Sequence, residues 1–287
     1  MQYKIVILIK QILMIGCIVL LSFFVMLPIW MMISGSFMGR AEITDNIGAI
    51  FSNGDSTVKW TILPLYPMIK PYIELLFDTP EFFHVFWNSC RQVFPIMLGY
   101  LLIALPAAWA FGAYEFPFKR FLFLLYTILM IMPFQVTMVS NYLVINRLNL
   151  MDSDWAIILP AAFATLPVFI ITKFIATIPK ALFEAAEVDG AGEFKKFLSI
   201  GIPMGMPGIL SALVLGFLEA WNAIEQPLIY IKTQSKWPLS LQLPNITGSK
   251  AGISLAASVI TVLPALLIFL IGQTYLEQGI QASGIKE

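Results

Sequence analysis

A short polar segment between two long apolar runs carries the densest group of side chains suited to bind another protein. Its carboxylates can form charge-assisted hydrogen bonds with basic groups of a partner, and its alanines let that partner approach closely. The residues are Glu184, Ala185, Ala186 and Glu187, followed by Asp189, Gly190 and Ala191. Residues 180–188 are strong helix formers, and Gly190 can end that helix in a turn. The pattern predicts a helix-turn-helix over 179–207 at the inner membrane surface.

The second helix of this segment is predicted to be short and amphipathic. Its apolar face would consist of Phe194, Phe197, Leu198 and Ile200. Two prolines, Pro203 and Pro207, are then expected to redirect the chain into the next apolar run. A rigid pair of helices in this position could transmit force from a cytoplasmic protein to the membrane helices.

Polar side chains inside apolar runs are costly in lipid and are therefore candidates to line a transport path. The candidates are Gln135, Thr137, Ser140, Asn141, Glu219, Trp221, Asn222, Glu225 and Gln226. Positions 219, 222 and 226 fall at i, i+3 and i+7, which is one face of a helix. The hypothesis is that this face lines the path. The alternative is that the Asn and Trp side chains pack the helix bundle or mark the membrane interface.

Catalytic and metal sites have little support in the sequence. The only histidine, His84, lies in an aromatic stretch and is interpreted as an interfacial residue. The two cysteines, Cys17 and Cys90, have no metal-ligand spacing. Residues 248–250 do not form a phosphate loop, and no other stretch does. We therefore expect no catalytic residue, metal or cofactor in this chain, and an intramembrane enzyme is a weak alternative.

The composition identifies lipid as the solvent of this chain. Of its 287 residues, 59% are hydrophobic and 12% charged, and the mean hydropathy is +0.85. The formal net charge is zero, so nothing indicates a basic patch for nucleic acid. The sequence predicts an all-α integral membrane protein that forms a single domain over 1–287. Runs long enough to cross a bilayer, which needs about 20 apolar residues, are 12–37, 93–111, 121–145, 155–178, 208–231 and 253–275.

The distribution of Lys and Arg orients these six predicted spans. An even number of spans places both termini on one side, with nine Lys and Arg residues there and eight on the other. Four of the eight lie in or beside the long loop 38–86, where the positive-inside rule is weaker. We therefore expect both termini and the segment 179–207 in the cytoplasm, with 38–86 and 232–252 outside.

The polar segment resembles the EAA loop of ABC-importer permeases. The resemblance rests on Glu184-Ala185-Ala186, Asp189-Gly190-Ala191, Phe197, Ile200, Pro203 and Pro207. It implies that the loop docks into a cleft of an ATPase subunit and couples ATP-driven closure to opening of the membrane path. It also implies the fold of a type I importer permease in the bacterial cytoplasmic membrane. ATP and Mg would then be bound by the partner subunits.

Other stretches resemble the sugar-permease branch that includes the maltose type: 132–142, 148–150, 156–160, Asn88-Ser89, Trp221-Asn222 and Pro227-Leu228. This resemblance implies import of a sugar or oligosaccharide delivered by an extracellular solute-binding protein. A second homologous permease and two cytoplasmic ATPase subunits would complete the complex, within membrane lipid. A phosphorylated or acidic cargo remains an alternative. So does an ion-driven transporter, which would not need the loop 184–207.

The same resemblance suggests two further contact surfaces. The C-terminal tail resembles one that reaches into an ATPase dimer interface, and its candidates are Gly279, Gln281, Ser283 and Lys286. The loop 232–252 resembles one that contacts the solute-binding protein, and its candidates are Trp237, Leu241 and Leu243. The alternative for the second surface is a loop folded onto its own helix bundle.

Overall fold

The computed structural model describes the backbone of residues 2–51, 61–242 and 251–283. It describes the side chains of residue 7 and of residues 10–46, 61–242 and 251–277. These parts of the chain are helical and contain no strand, which confirms the predicted all-α class. The described helices are α1 (Gln2–Ser36), α2 (Arg40–Phe51), α3 (Lys70–Phe77), α4 (Pro80–Gly99), α5 (Leu105–Ala113), α6 (Lys119–Ile131), α7 (Phe134–Arg147), α8 (Trp155–Ala162), α9 (Thr165–Ile175), α10 (Lys180–Val188), α11 (Glu193–Lys196), α12 (Ile202–Trp221), α13 (Glu225–Tyr230), α14 (Leu239–Gln242) and α15 (Ala251–Ser283).

Two π-helical segments, Tyr100–Ala104 and Phe197–Gly201, continue α4 into α5 and α11 into α12. Within the described ranges, five helical stretches are long and apolar enough to cross a membrane. They are Lys10–Ser36, Pro80–Ala113, Trp155–Ile175, Glu193–Trp221 and Ala251–Glu277. Helices α6 and α7 together are also long and apolar enough, but a 103° bend separates them. They make a sixth span only if the bent pair is counted as one.

The predicted third span, 121–145, is therefore not one straight helix. The break lies at Met132 and Pro133, where Met132 adopts an extended conformation with ψ of 123°. A residue before proline is driven out of the helical region by the proline ring, and the proline itself has no N–H to donate. The chain is therefore completely broken at this proline rather than kinked.

The predicted bounds of the fifth span, 208–231, are wrong at both ends: the observed helix begins before residue 208 and ends before residue 231. The observed helix continues unbroken from Glu193 and ends at Trp221. Asn222 ends it, because its side-chain amide donates to the Leu218 carbonyl at 2.8 Å. A separate helix, α13, then begins at Glu225. An Asn side chain that competes for backbone hydrogen bonds favours such a helix end.

The region predicted as an outer loop, 38–86, contains much of the regular structure that the sequence pattern missed. Helices α2 and α3 lie within it, and α4 begins at Pro80 rather than at residue 93. The apolar count missed the first turns of α4 because polar residues interrupt them. The predicted fourth span, 155–178, is observed as α8 and α9 with an interruption at Phe163 and Ala164.

The described residues group into two compact units. One contains the described residues within 1–83 and 243–262, and the other contains those within 84–242 and 263–287. Within the first, Ser36 Oγ and Tyr72 Oη are hydrogen-bonded at 2.7 Å. Arg40 pairs with Glu74 at 3.0 Å. These contacts join the end of α1 and the start of α2 to α3.

The second unit is built around α9, which packs extensively against both α5 and α12. Glycines permit the close approach of these helices. A Cβ at Gly112 would lie 2.5 Å from Ile175 Cγ2, and one at Gly208 would lie 2.6 Å from the Phe174 ring. Small residues at helix contacts are a general device in lipid, where apolar side chains gain nothing by leaving the solvent.

This packing predicts the effect of a larger side chain at Gly112. Gly112→Leu would overpack the contact between α5 and α9 and should destabilise the chain by about 1–3 kcal/mol. The measurement is the apparent melting temperature in detergent. Gly16→Leu is the matched control, because no atom lies within 4 Å of a Cβ built at Gly16 on α1. Equal melting temperatures for the two variants would contradict this account of the packing.

Candidate functional site

The predicted partner-binding segment forms an exposed helix and turn. None of the seven singled-out residues, 184–187 and 189–191, is buried, and Glu184, Ala185 and Glu187 are exposed on α10. Two apolar side chains beside them are also open, with Val188 88% and Phe194 73% exposed. Exposed apolar groups among carboxylates are typical of a surface that another protein covers.

The turn after α10 has the geometry that the sequence predicted. Gly190 adopts a φ of +75°. Its N–H donates to the Glu187 carbonyl at 3.0 Å, and the Ala191 N–H donates to the Ala186 carbonyl at 2.8 Å. This pair of bonds is a Schellman motif, which satisfies carbonyls at a helix end and requires a left-handed residue. The turn thereby fixes the angle at which α10 leaves the rest of the segment.

The second helix of the segment is not separate, which corrects the prediction. Residues Glu193–Trp221 form one continuous helix, and neither Pro203 nor Pro207 redirects the chain. Pro203 lies inside this continuous helix, two residues after the π-helical segment Phe197–Gly201. Any movement of the turn is therefore applied directly to the end of a membrane span.

A buried lysine joins the two arms of the segment. Lys196 Nζ pairs with Glu193 at 2.8 Å and with Glu187 at 3.7 Å, and only 7% of its side chain is exposed. The Glu187 carboxylate belongs to α10, whereas Glu193 and Lys196 belong to α11. A buried charge needs such partners, since leaving it unpaired is costly. The lysine thus holds α10 against the start of the long helix.

The predicted path residues are only partly brought together. Gln135 on α7 donates from Nε2 to both carboxylate oxygens of Glu225 on α13, at 2.8 and 2.9 Å. Glu225 and Gln135 are both among the path candidates, and the structure brings this pair together. Glu219 and Asn222 are exposed at the end of α12. All four residues lie within two residues of a helix end.

The other path candidates fare differently. Gln226 and Asn141 are half-buried. Trp221 is 4% exposed, and its ring stacks on Phe217 with a centroid distance of 5.5 Å. It therefore packs the helix bundle, as the alternative proposed. The single-face argument also fails, because α12 ends before Asn222 and Gln226 belongs to α13.

A carboxylate that the sequence did not single out fixes the segment 232–242. Asp152 accepts the N–H groups of Lys232 and Thr233 at 3.0 and 2.9 Å, and the Thr233 hydroxyl at 2.7 Å. These bonds, led by those from Thr233 and supplemented by one from Lys236, hold the pKa of Asp152 well below its usual range. Its φ of +59° is one that Asp tolerates better than most residues.

Buried polar side chains on α4 fix the same segment from the other side. Asn88 donates to the carbonyls of Ser235 and Trp237 at 2.7 and 3.1 Å. Ser89 Oγ accepts the Leu239 N–H at 2.8 Å. The side chains of Asn88 and Ser89 are buried, so these bonds are shielded from water. Their clustering in a run of polar residues was the available sequence signal.

These bonds determine which of the residues predicted to contact a binding protein are exposed. Leu241 is 6% exposed and belongs to the interior, so the prediction of an outward contact is wrong for it. Trp237 is half-buried and donates from Nε1 to the Ile231 carbonyl at 3.1 Å. Leu243 and Lys286 lie outside the described residues, and only the backbone of Gly279, Gln281 and Ser283 is described. The exposed tip of the segment is instead Lys232–Ser235.

Comparison with known proteins identifies a family model that matches residues 91–282, described as binding-protein-dependent transport system inner membrane component. A similar protein is the arabinooligosaccharides transport system permease protein AraQ of Halalkalibacterium halodurans, 27% identical over 93% of both chains. Another is the osmoprotective compounds uptake permease protein GgtD of Synechocystis sp., 30% identical over 83% of this chain and 82% of the other.

A solved structure shares the fold at low sequence identity. It is a chain of a bacterial ABC transporter involved in the import of the acidic polysaccharide alginate. The TM-score is 0.77 at 18% identity, covering 93% of this chain and 96% of that one. The likeness confirms the predicted transporter fold for nearly the whole chain.

The bonds of Asp152 predict a loss of stability that depends on pH. Asp152→Ala should cost about 2 kcal/mol at pH 7, because bonds to a charged acceptor are lost. Since folding lowers the pKa of Asp152, its contribution is complete above the usual carboxyl pKa and is lost as the pH falls. The difference between parent and variant in detergent melting should therefore shrink below about pH 4.

Asp45→Ala supplies the control for this experiment, because Asp45 is an exposed carboxylate on α2. Its removal should leave the melting temperature within the error of the parent at every pH. A constant difference between parent and Asp152→Ala from neutral to acid pH would contradict the electrostatic origin assigned to the effect.

Proposed function

We propose that this chain, which belongs to the family of binding-protein-dependent transport system inner membrane components, takes part in the import of a sugar or oligosaccharide. We propose further that it couples to an ATPase through residues 184–207. It is a multi-pass inner membrane protein, and the predicted resemblance to ABC-importer permeases is confirmed. The observation that carries the coupling proposal is the exposed α10 with its Schellman turn. That geometry presents carboxylates and small residues on a rigid support.

The proposed coupling surface consists of Glu184, Ala185, Ala186, Glu187, Asp189, Gly190 and Ala191. Glu184 and Glu187 would accept hydrogen bonds from basic groups of the ATPase, and the alanines would allow close approach. Val188 and Phe194 supply apolar area that the ATPase would remove from water. Because the turn continues directly into Glu193–Trp221, displacement of α10 would move the span that carries Glu219.

The working complex would contain more than this chain. Members of this family act with another permease, an ATPase and a solute-binding protein. We propose a heterodimer with a homologous permease on two cytoplasmic ATPase subunits, with both termini of this chain in the cytoplasm. ATP and Mg would be bound by the ATPase subunits, because this chain has no phosphate loop. The chain itself would then have no catalytic role.

The carbohydrate cargo is supported by the relatives and by the charge of the candidate path. AraQ is named for arabinooligosaccharides and GgtD for osmoprotective compounds. The polar residues at the candidate path include two carboxylates, Glu219 and Glu225, and two amides, Gln135 and Asn222. Carboxylates and amides hydrogen-bond well to sugar hydroxyls, and the two carboxylates repel an anion. The path therefore favours a neutral cargo over the acidic or phosphorylated alternative.

Two further contacts of this chain are part of the proposal. The tail residues Gly279, Gln281, Ser283 and Lys286 would reach the ATPase dimer interface. The solute-binding protein would meet the exposed tip Lys232–Ser235 rather than Leu241, which is buried. Because Asp152 and Asn88 hold the segment at both ends of this tip, it would act as a rigid contact.

The turn at Gly190 provides the sharpest test of coupling. Gly190→Pro cannot adopt the observed φ of +75° and removes the N–H that bonds to Glu187. We expect the ATPase retained in a pull-down on this chain to fall at least about tenfold, because such strain and a lost bond together exceed 1.4 kcal/mol.

Gly192→Ala is the matched control for Gly190→Pro. Gly192 has an ordinary φ of −68°, and no atom lies within 4 Å of a Cβ built there. This variant should retain the ATPase as the parent does. Normal retention of the ATPase and normal ATP hydrolysis in the Gly190→Pro complex would overturn the coupling assignment.

The path assignment is tested by transport of radiolabelled arabinotriose and maltotriose into cells. Glu219→Ala and Asn222→Ala should each lower uptake of the imported sugar by about tenfold, since a bond to a charged or amide group is lost. Thr127→Val is the control, because that hydroxyl donates to the Phe123 carbonyl within its own helix. Unchanged uptake by both path variants, at normal membrane levels, would exclude these residues from the path.

A further inference from the structure

An indole ring in the middle of α5 lies between the two arms of the coupling segment. Trp109 is 7% exposed. Its ring lies 5.5 Å from the ring of Phe183 on α10 and 5.5 Å from that of Phe197 in the π-helical segment, measured between centroids. A Cβ at position 201 would overlap the same indole. Three parts of the chain thus meet on one side chain.

A hydrogen-bonded relay leads from this ring to the start of the long helix. Trp109 Nε1 donates to Tyr114 Oη at 3.2 Å, and Tyr114 Oη donates in turn to the Glu193 carboxylate. Glu193 also accepts from Lys196, which pairs with Glu187 on α10. The relay therefore runs from α5 through the start of the Glu193–Trp221 helix to the proposed coupling helix.

The protonation of Tyr114 agrees with its role as a donor. Burial first, and the hydrogen bond to the Glu193 carboxylate second, raise the pKa of the Tyr114 phenol above its usual value. The hydroxyl therefore stays protonated at physiological pH and can donate to Glu193 while it accepts from Trp109. Each of its two hydrogen-bonding functions is used, and each joins a different helix.

From these contacts we propose that Trp109 and Tyr114 are positioning residues that transmit displacement of α10 to the span Pro80–Ala113. The proposal rests on the proposed function, because it assumes that α10 is the part displaced by the ATPase. The continuous helix already links the turn to the span Glu193–Trp221. The relay would link α10 to a second span, so that Glu193–Trp221 and Pro80–Ala113 both move when α10 is displaced.

Packing alone would not require this arrangement. The aromatic cluster of Trp109, Phe183 and Phe197 could hold the segment through buried area. The Tyr114 hydroxyl adds no such area, yet it joins α5 to Glu193 by a directional bond. Removing only that oxygen therefore separates transmission from packing, since the ring of Tyr114 still contacts Trp109 at 5.9 Å.

The test is hydrogen–deuterium exchange of the complete complex, purified through this chain with its ATPase subunits, with and without ATP. In the parent, ATP should change the exchange of residues 180–191 and of residues 109–118. In Tyr114→Phe, the change at 180–191 should remain, whereas the change at 109–118 should fall to about half or less, because the directional bonds are lost. Tyr126→Phe is the control, since its ring packs on Phe111 at 5.4 Å away from the relay.

The outcomes separate this proposal from the function on which it rests. An ATP response at 109–118 that is equal in the parent and in Tyr114→Phe would overturn the relay. No ATP response at 180–191 in the parent would instead overturn the coupling assignment of α10. Glu193→Gln gives an independent variant, because it keeps an oxygen that can accept from Tyr114 but loses the charge that pairs with Lys196. It should show a response at 109–118 between those of the parent and Tyr114→Phe.

Discussion

The close approach of α9 to α5 and α12 is the contact on which the larger unit depends. In lipid, apolar side chains gain no transfer free energy by meeting one another, so helices associate through dispersion and fit. Gly112 and Gly208 supply that fit by admitting Ile175 and Phe174. Because α5 and α12 pack against the same central helix, the coupling segment that contacts them rests on one framework.

The sequence predicts what depends on solvent and on local backbone chemistry. Apolar runs identify lipid-facing helices, and Gly190 identifies a left-handed turn, because few other residues adopt its φ. Helix ends inside apolar runs are harder to predict. Neither the extended conformation of Met132 nor the end of α12 at Asn222 changes the hydropathy of its run. A window that averages hydrophobicity therefore passes over both.

Side-chain roles are predicted less well than elements, and the errors have a common cause. Leu241 and Trp221 appear exposed in a loop or on a polar face when only spacing is considered, but both are buried by distant parts of the chain. Asp152 appears as an ordinary turn residue, yet it binds backbone groups of residues 232 and 233, some 80 positions away. Burial and pairing at that separation depend on the tertiary arrangement. By contrast, the exposure of Glu184 follows from its own helix.

The two π-helical segments have a consequence for how such a chain can vary. Each behaves as one extra residue in a helix, so its removal would turn everything downstream by about 100°. Trp109 lies beyond Tyr100–Ala104, and Gly201 ends Phe197–Gly201. The contact between Trp109 and Gly201 therefore requires the extra residue of both π-helical segments. A single-residue deletion in either would leave both helices intact and still turn the indole away from its glycine, so this contact restricts the lengths of both helices.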